Sequence, residues 1–307
     1  MTITNSFMRI FIILLSPLVM HGIVSNYNHF PTYQPSHILD EKRTNISFAF
    51  SMRVLVSEYN GPLIRLRRAS DNAQQDFSRG DNDIVDVTAI NTWRNGSNVY
   101  VHTWYDQSGL GRNAVQTNPT RQPRFYPDAT IPYFQGDGSN DHLTVDTPNG
   151  IQDVTNAGKE GSVLALMRAT KKNQHTFGVL DNTASPSNRW SAHLNWGNSR
   201  AYFDPGHCCV PNRSFYNITN ENKWRYYSFI KKTSTIIMRV NGIDKLNGTH
   251  TASACTRTED FAIGWATGNE TGNHSSTSFT EFIMYKIDIP SSEYQEIEDN
   301  AMTFWGL

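Results

Sequence analysis

Residues 104–114 read Trp-Tyr-Asp-Gln-Ser-Gly-Leu-Gly-Arg-Asn-Ala, a run whose side chains could do chemistry or could fold the backbone onto itself. Asp106 with Ser108 offers a nucleophile or a calcium ligand on a loop. The same two residues suit an Asx-type turn leaving a strand, with Gly109 and Gly111 supplying positive φ. Calcium needs several converging oxygens and the turn needs none, so the turn reading leads. Asp137, Asn140 and Asp141 form a second oxygen-rich cluster with the same two readings in the same order. The ten histidines are scattered, with no HExxH or HxH spacing, so a catalytic zinc has no support. The expectation is therefore no cofactor, with calcium as the alternative.

Trp190, Trp196, Trp224 and Trp265 are candidate sugar platforms, because an aromatic face accommodates the apolar side of a sugar ring. Core packing competes for all four. Trp196, between Asn195 and Gly197, and Trp265, beside Gly264, read as the most loop-like. Arg65, Arg67 and Arg68 could present a basic face to acidic sugars. In a strand one of them points away from the other two, and one is expected to pair with Asp71 or Asp76.

These residues need positioning elements. Residues 48–59 carry apolar side chains at a helical spacing, ended by Gly61-Pro62. Residues 63–68 alternate as a half-buried strand, 86–93 read as a short helix, and 98–105 as the strand that enters the Trp104 turn. From 132 to 287 short strands recur, and Asn241-Gly242 marks a hairpin with a type I′ turn. Residues 291–304 form the closing helix, with Ser292 and Gln295 as a capping box. About ten strands at even spacing in ~200 residues predict a mainly β chain, a two-sheet jelly-roll sandwich with short helices near each end.

Arg9 precedes an apolar run, 10–20, too short for the ~20 residues a bilayer span requires. It reads as the core of a signal peptide (1–25), followed by a polar leader (26–44) and one domain (45–307). Asn45, Asn95, Asn212, Asn217, Asn247, Asn269 and Asn273 each begin an Asn-X-Ser/Thr sequon, the pattern of a glycosylated, secreted protein. A formal net charge of −1 argues against nucleic acid as a partner. The expected partners are glycans or extracellular glycoproteins, with no membrane span left after cleavage. Three cysteines leave one over in an oxidising compartment. Neighbouring residues stand only ~3.8 Å apart at Cα, so Cys208 or Cys209 is expected to bridge to Cys255 rather than to each other.

Phe50-Ser-Met-Arg-Val-Leu, then Gly61-Pro-Leu-Ile-Arg-Leu-Arg-Arg-Ala-Ser-Asp71, then Trp104-Tyr-Asp-Gln-Ser-Gly109 with Asn113, resemble the catalytic domain of the α-L-arabinofuranosidase B family. Tyr133-Phe-Gln-Gly-Asp-Gly-Ser-Asn-Asp-His-Leu143, the Trp224 strand, Val240-Asn-Gly242 and Glu281-Phe-Ile-Met-Tyr285 resemble laminin-G-like, concanavalin-A-like modules. The resemblance implies a jelly roll that contacts saccharides. It also implies two carboxyl groups ~5–5.5 Å apart if the retaining reaction is kept. Asp204 is the nearest match to the nucleophile, with Glu281 or Asp260 to complete the pair. Where the family has its acid/base, after an Ile-Gly pair, this chain reads Ile263-Gly-Trp-Ala266 and offers no carboxylate. The expectation is thus a secreted, non-catalytic glycan-binding module inactive on arabinofuranosides. Trp196, Asp204, Trp265 and Asn269 would mark its rim. The alternatives are an active α-L-arabinofuranosidase and a structural matrix, shell or virion-surface protein.

Overall fold

The computed structural model describes residues 37–171, 173–181, 188–206, 213–219, 222–251, 253–268 and 272–307. The expected signal peptide, most of the polar leader, Cys208, Cys209, Asn212 and Asn269 lie outside them. In chain order the strands are β1 (Ile46–Ser51), β2 (Ile64–Arg68), β3 (Gln74–Phe77), β4 (Val99–Trp104), β5 (Ala114–Val115), β6 (Arg124–Tyr126), β7 (Tyr133–Gln135), β8 (Leu143–Val145) and β9 (Gly161–Arg168). They continue with β10 (Phe177–Leu180), β11 (Arg189–His193), β12 (Arg200–Pro205), β13 (Ser214–Asn217), β14 (Arg225–Lys231), β15 (Thr235–Val240), β16 (Ile243–Thr249), β17 (Phe261–Ile263) and β18 (Ser278–Tyr285). Helix α1 spans Val87–Arg94 and helix α2 spans Ser291–Trp305.

The chain is mainly β, and its strand ladders are antiparallel. One run of neighbours is β16-β15-β14-β9-β18-β1. A second is β13-β12-β11-β10-β17-β8-β5-β4. The runs join through β4-β6-β7-β18, so among the described residues the ladders link into one 18-stranded sheet in place of the expected two. The join forms because β18 accepts β7 at its first residues and β1 over the rest. The core lies where the runs face each other. Phe177 on β10 meets Phe229 on β14 at 5.5 Å and Phe282 on β18 at 5.3 Å between ring centroids.

The helix expected over 48–59 is absent. Residues 46–51 form β1, buried at every position between β18 and the Trp104 turn. A strand covered on both faces reads as a continuous apolar run, so a helical spacing can be picked out of it without meaning. The strand at 63–68, helix α1 and the Asn241-Gly242 hairpin follow the reading, the last with φ of 48° and 75°. The closing helix is present without the capping box, since its N-cap is Pro290 and no side chain caps it. Cys255 is buried with a free thiol, pushed up to about 11 by burial. Both partners expected for it, Cys208 and Cys209, lie outside the described residues, and the Cys255 amide donates to the Gly158 carbonyl. No described helix is long and apolar enough to cross a membrane.

Candidate functional site

The Trp104 turn is structural. Asp106 accepts from the backbone amides of Ala49, Ser108 and Arg112 and from the Ser108 hydroxyl, at 2.7–3.0 Å. Its carboxylate is consumed in stapling the turn to β1. Asp137 likewise accepts from the amides of Ser139, Asn140 and Asp141. Among the described residues, no group of histidine, cysteine or acidic side chains is arranged to hold a metal ion.

Asp141 is less settled. Its carboxyl takes one hydrogen bond from the Asp137 amide and borders a cavity, and burial with the neighbouring Asp137 charge pushes it up to about 7. The native state thus keeps it protonated where the unfolded chain, at pKa ~3.9, does not. That stabilises the fold below pH ~4 and is lost as pH rises through about 7. Asp141→Asn should then raise stability at pH ~8 by about 1–2 kcal/mol, discounted for solvent at the cavity mouth, and change little near pH ~4. Thermal melts at both pH values test this, and equal shifts at the two would refute it.

The three candidate catalytic carboxylates have different surroundings. Glu281 is fully buried on β18 beneath α2. It pairs with Arg53 at 2.7 Å and accepts from Ser51 and Tyr226. Asp260 is exposed and accepts from the Thr147 amide at 2.9 Å. It precedes β17, which β10 and β11 separate from β12. Three interstrand spacings amount to ~14 Å, too far from Asp204 for the ~5–5.5 Å of a retaining pair. Neither residue completes the pair.

Asp204 stands elsewhere, at the centre of a charged cluster on β12. Arg213 grips it with two nitrogens at 2.8 and 3.0 Å, Arg189 stands at 3.4 Å and His193 Nε2 at 3.5 Å. Burial by itself would raise its pKa, but His193 and Arg213 outweigh burial and hold it down at about 2. The charge is a fixed feature across the working pH range. Burial keeps His193 itself below the ordinary histidine value, against the pull of Asp204.

The strand pattern explains the cluster. Along Trp190-Ser-Ala-His-Leu-Asn195, the apolar Trp190, Ala192 and Leu194 are at most 1% exposed and fill the core. The period of two sends Ser191, His193 and Asn195 to the opposite face. Across from Ser191 stand Asp204 on one side and Gly178 on the other. Gly178 has φ 123°, and a Cβ there would come within 2.1 Å of the Trp190 carbonyl, so only glycine fits.

Aromatic rings flank this face. His193 packs 4.8 Å from Trp196 and 4.3 Å from His175. His175 bonds through its amide to the Asn273 carbonyl. His274, the next residue, stacks on Trp265 at 4.7 Å and 12°, with His142 at 4.9 Å from the same indole. Burial holds His175 well below the ordinary value and brings His274 to about 4, so these imidazoles are neutral near pH 7. Among the described residues, seven buried side-chain polar atoms without a partner gather here: Gln174 Nε2, His175 Nδ1, Ser191 Oγ, both amide atoms of Asn195, Trp265 Nε1 and His274 Nδ1. Each unmet group costs roughly 1–3 kcal/mol, so a polar molecule or water that met them would be stabilised here.

Trp196 and Trp265 are half-buried at this face, Trp190 is in the core, and Trp224 packs against Tyr133 and Arg168 elsewhere. The sequence reading missed His175, His193, Arg189, Arg213, Gln174 and Asn195. The alternation of Ser191, His193 and Asn195 before a loop tryptophan was the available signal. A groove of about 870 Å³ beside α1 is no rival: its Asp86 caps Ala89 and its Asp128 pairs with Arg94.

Residues 35–146 match the family described as alpha-L-arabinofuranosidase B, catalytic. The fold is similar to that of an arabinofuranosidase complexed with arabinofuranosyl-alpha-1,2-xylobiose, with TM-score 0.66 and 13% identity over 87% of this chain and 65% of that one. It is also similar to a GH54 a-l-arabinofuranosidase soaked with a cyclic sulfate inhibitor, with TM-score 0.65 and 14% identity over 87% and 64%. At these identities the likeness is one of fold, and the chain spans just under two thirds of each structure's length. No curated protein sequence matches the chain. The resemblance of the first half stands. The expectation of a non-catalytic binding module does not: the matched family is a catalytic domain, and the arabinofuranosidase fold extends over most of the chain.

Proposed function

We propose that this chain is a glycoside hydrolase of the α-L-arabinofuranosidase type, with the sugar held on the β11 face between Asp204 and Trp196. The carrying observation is Asp204. Of the three candidate carboxylates it alone lies on the face that gathers unpartnered amide, hydroxyl and ring nitrogen atoms, and it is held ionised there. The matched catalytic family and the shared fold support the same reading.

Glycoside cleavage passes through an oxocarbenium-like transition state. Asp204 is the ionised carboxylate of this face, its charge shared with Arg189 and Arg213, and a carboxylate near the ring stabilises the positive charge as it develops. Asn195, buried behind this face, carries one donor and one acceptor atom without a partner. The Trp196 ring, half-buried beside His193, suits the apolar face of a furanose. Trp265 and Ala266 occupy the place where the resemblance implies the proton donor. Substrates whose leaving groups need least protonation should therefore turn over best. The test is release of the phenol from an aryl α-L-arabinofuranoside, compared with release from an unactivated alkyl arabinofuranoside. Turnover of the aryl substrate supports the reading, and no turnover of either ends it.

Secretion and glycosylation belong to the same proposal. Asn45, Asn95, Asn217, Asn247 and Asn273 are all exposed, so each can receive a glycan without disturbing packing. Expressed from its own leader in a eukaryotic host, the chain should reach the medium and lose mass on treatment with an N-glycan-removing enzyme. An unchanged mass would remove the glycoprotein reading.

A further inference from the structure

Strand β2 carries three arginines, and two of them are matched inside the protein. Arg65 grips Asp76 with two nitrogens at 2.6 and 2.8 Å, and Arg68 grips Asp71 at 2.6 and 3.0 Å. Arg67, between them, is the more deeply placed at 7% exposure. Among the described residues it has no carboxylate within 4.0 Å. Its three hydrogen bonds go to neutral acceptors: the Gln122 side chain at 2.6 Å, the Asn72 side chain at 2.9 Å and the Pro119 carbonyl at 3.1 Å.

A guanidinium has five N–H groups, so these three bonds leave one N–H on each terminal nitrogen. A buried cation without a counter-charge is expensive to keep, and the planar fork of arginine matches a carboxylate with two parallel bonds. Arg67 lines a cavity of about 490 Å³, inside the ~300–1,000 Å³ range of small-molecule sites. Arg124 and Tyr126 form its rim, with the Arg124 guanidinium 4.8 Å above the Tyr126 ring. Tyr126 is held flat by stacking on Tyr133 at 4.7 Å and 16°. The rest of the wall includes Gln135, the Asp141 carboxyl and the Asp137 carboxylate, one oxygen of which is taken up by the amides of Ser139, Asn140 and Asp141.

We propose that this cavity is a second glycan site, separate from the Asp204 face, that takes a sugar residue bearing a carboxylate. The sugar carboxylate pairs with Arg67, the ring sits beside Arg124 and the edge of Tyr126, and the polar wall meets the hydroxyls. Two guanidiniums select a uronic acid over its neutral counterpart, because only the former supplies a carboxylate to Arg67.

Calorimetric titration of the full secreted chain with methyl glucuronide and methyl glucoside, which differ in the carboxylate alone, tests this. The glucuronide is expected to bind at least about tenfold more tightly, and Arg67→Gln to remove at least about tenfold of that affinity, the range for a charge-assisted pair. Tyr126→Ala, at the rim, should weaken glucuronide several-fold and leaves the buried arginine in place, so it carries the test should Arg67→Gln fail to fold. Asp204→Asn should leave glucuronide binding unchanged, and Arg67→Gln should leave aryl arabinofuranoside turnover unchanged. Equal affinity for the two glycosides overturns the proposal, as does glucuronide binding unaffected by Arg67→Gln and Tyr126→Ala. Inorganic sulfate binding as tightly as the glucuronide would also overturn it, leaving an anion site without sugar selectivity.

Discussion

Asp204→Asn should lower the turnover of an aryl arabinofuranoside by about 10²–10³-fold with little change in KM. The replacement keeps the shape and removes a charge whose effect is felt chiefly where positive charge develops. It also weakens the ion pairs that Arg189 and Arg213 make there, at 3.4 and 2.8 Å. Some stability will be lost with them, so rates must be taken per folded molecule, from melts run alongside the kinetics. A variant that stays folded and keeps wild-type turnover would show that the charge does not act on the reaction. A rise in KM with kcat intact would instead make the Asp204 cluster part of substrate holding only.

Glu281→Gln should be the most destabilising single change considered, and silent in catalysis. Glu281 has 0% side-chain exposure and Arg53 4%, and the pair is joined by two bonds at 2.7 and 3.2 Å. Arg53 reaches on to Asn300 of α2 at 2.7 Å, and Ser51, Tyr226 and Trp305 all donate toward the same carboxylate. Removing one charge of a buried pair leaves the other uncompensated, at about 3–5 kcal/mol. Denaturant unfolding should show a loss of that size, and the fraction still folded should turn over substrate at the wild-type rate. If instead stability holds and kcat falls, Glu281 is part of the chemistry and the separation drawn between core and site fails.

Much of the scaffold was legible from residue order. Residues 63–68 and 98–105 carry strand patterns that survive as β2 and β4, and Asp86 before Val87 starts α1 by accepting from the Ala89 amide at 2.8 Å. The Trp104 turn was readable for the same reason: Asp106, Ser108 and Asn113 bond their neighbours within a few residues. The failures share a different cause. Residues 48–59 read as helix because β1, whose end lies within them, is covered on both sides and shows no alternation. Glu281 stood as a catalytic candidate although Arg53, which neutralises it, lies 228 residues away in the chain.

Local order, then, determined by itself the β character, the hairpin at Asn241-Gly242, the stapled turn and the likeness of the first half to a catalytic family, because each rests on side chains within one element or one turn. Which carboxylate could serve that chemistry was decided only by the tertiary structure. His142, His175, His193 and His274 are scattered in sequence, yet strand pairing sets them along one face with Trp196 and Trp265. Asp204 becomes a held charge only because β11 and the stretch before β13 bring Arg189, His193 and Arg213 to it. The same holds for Arg67, which among the described residues is left without a carboxylate partner once its neighbours on β2 have taken theirs. Burial and pairing are properties of the packed sheet, and they set both the charge state of a side chain and what it is left free to bind.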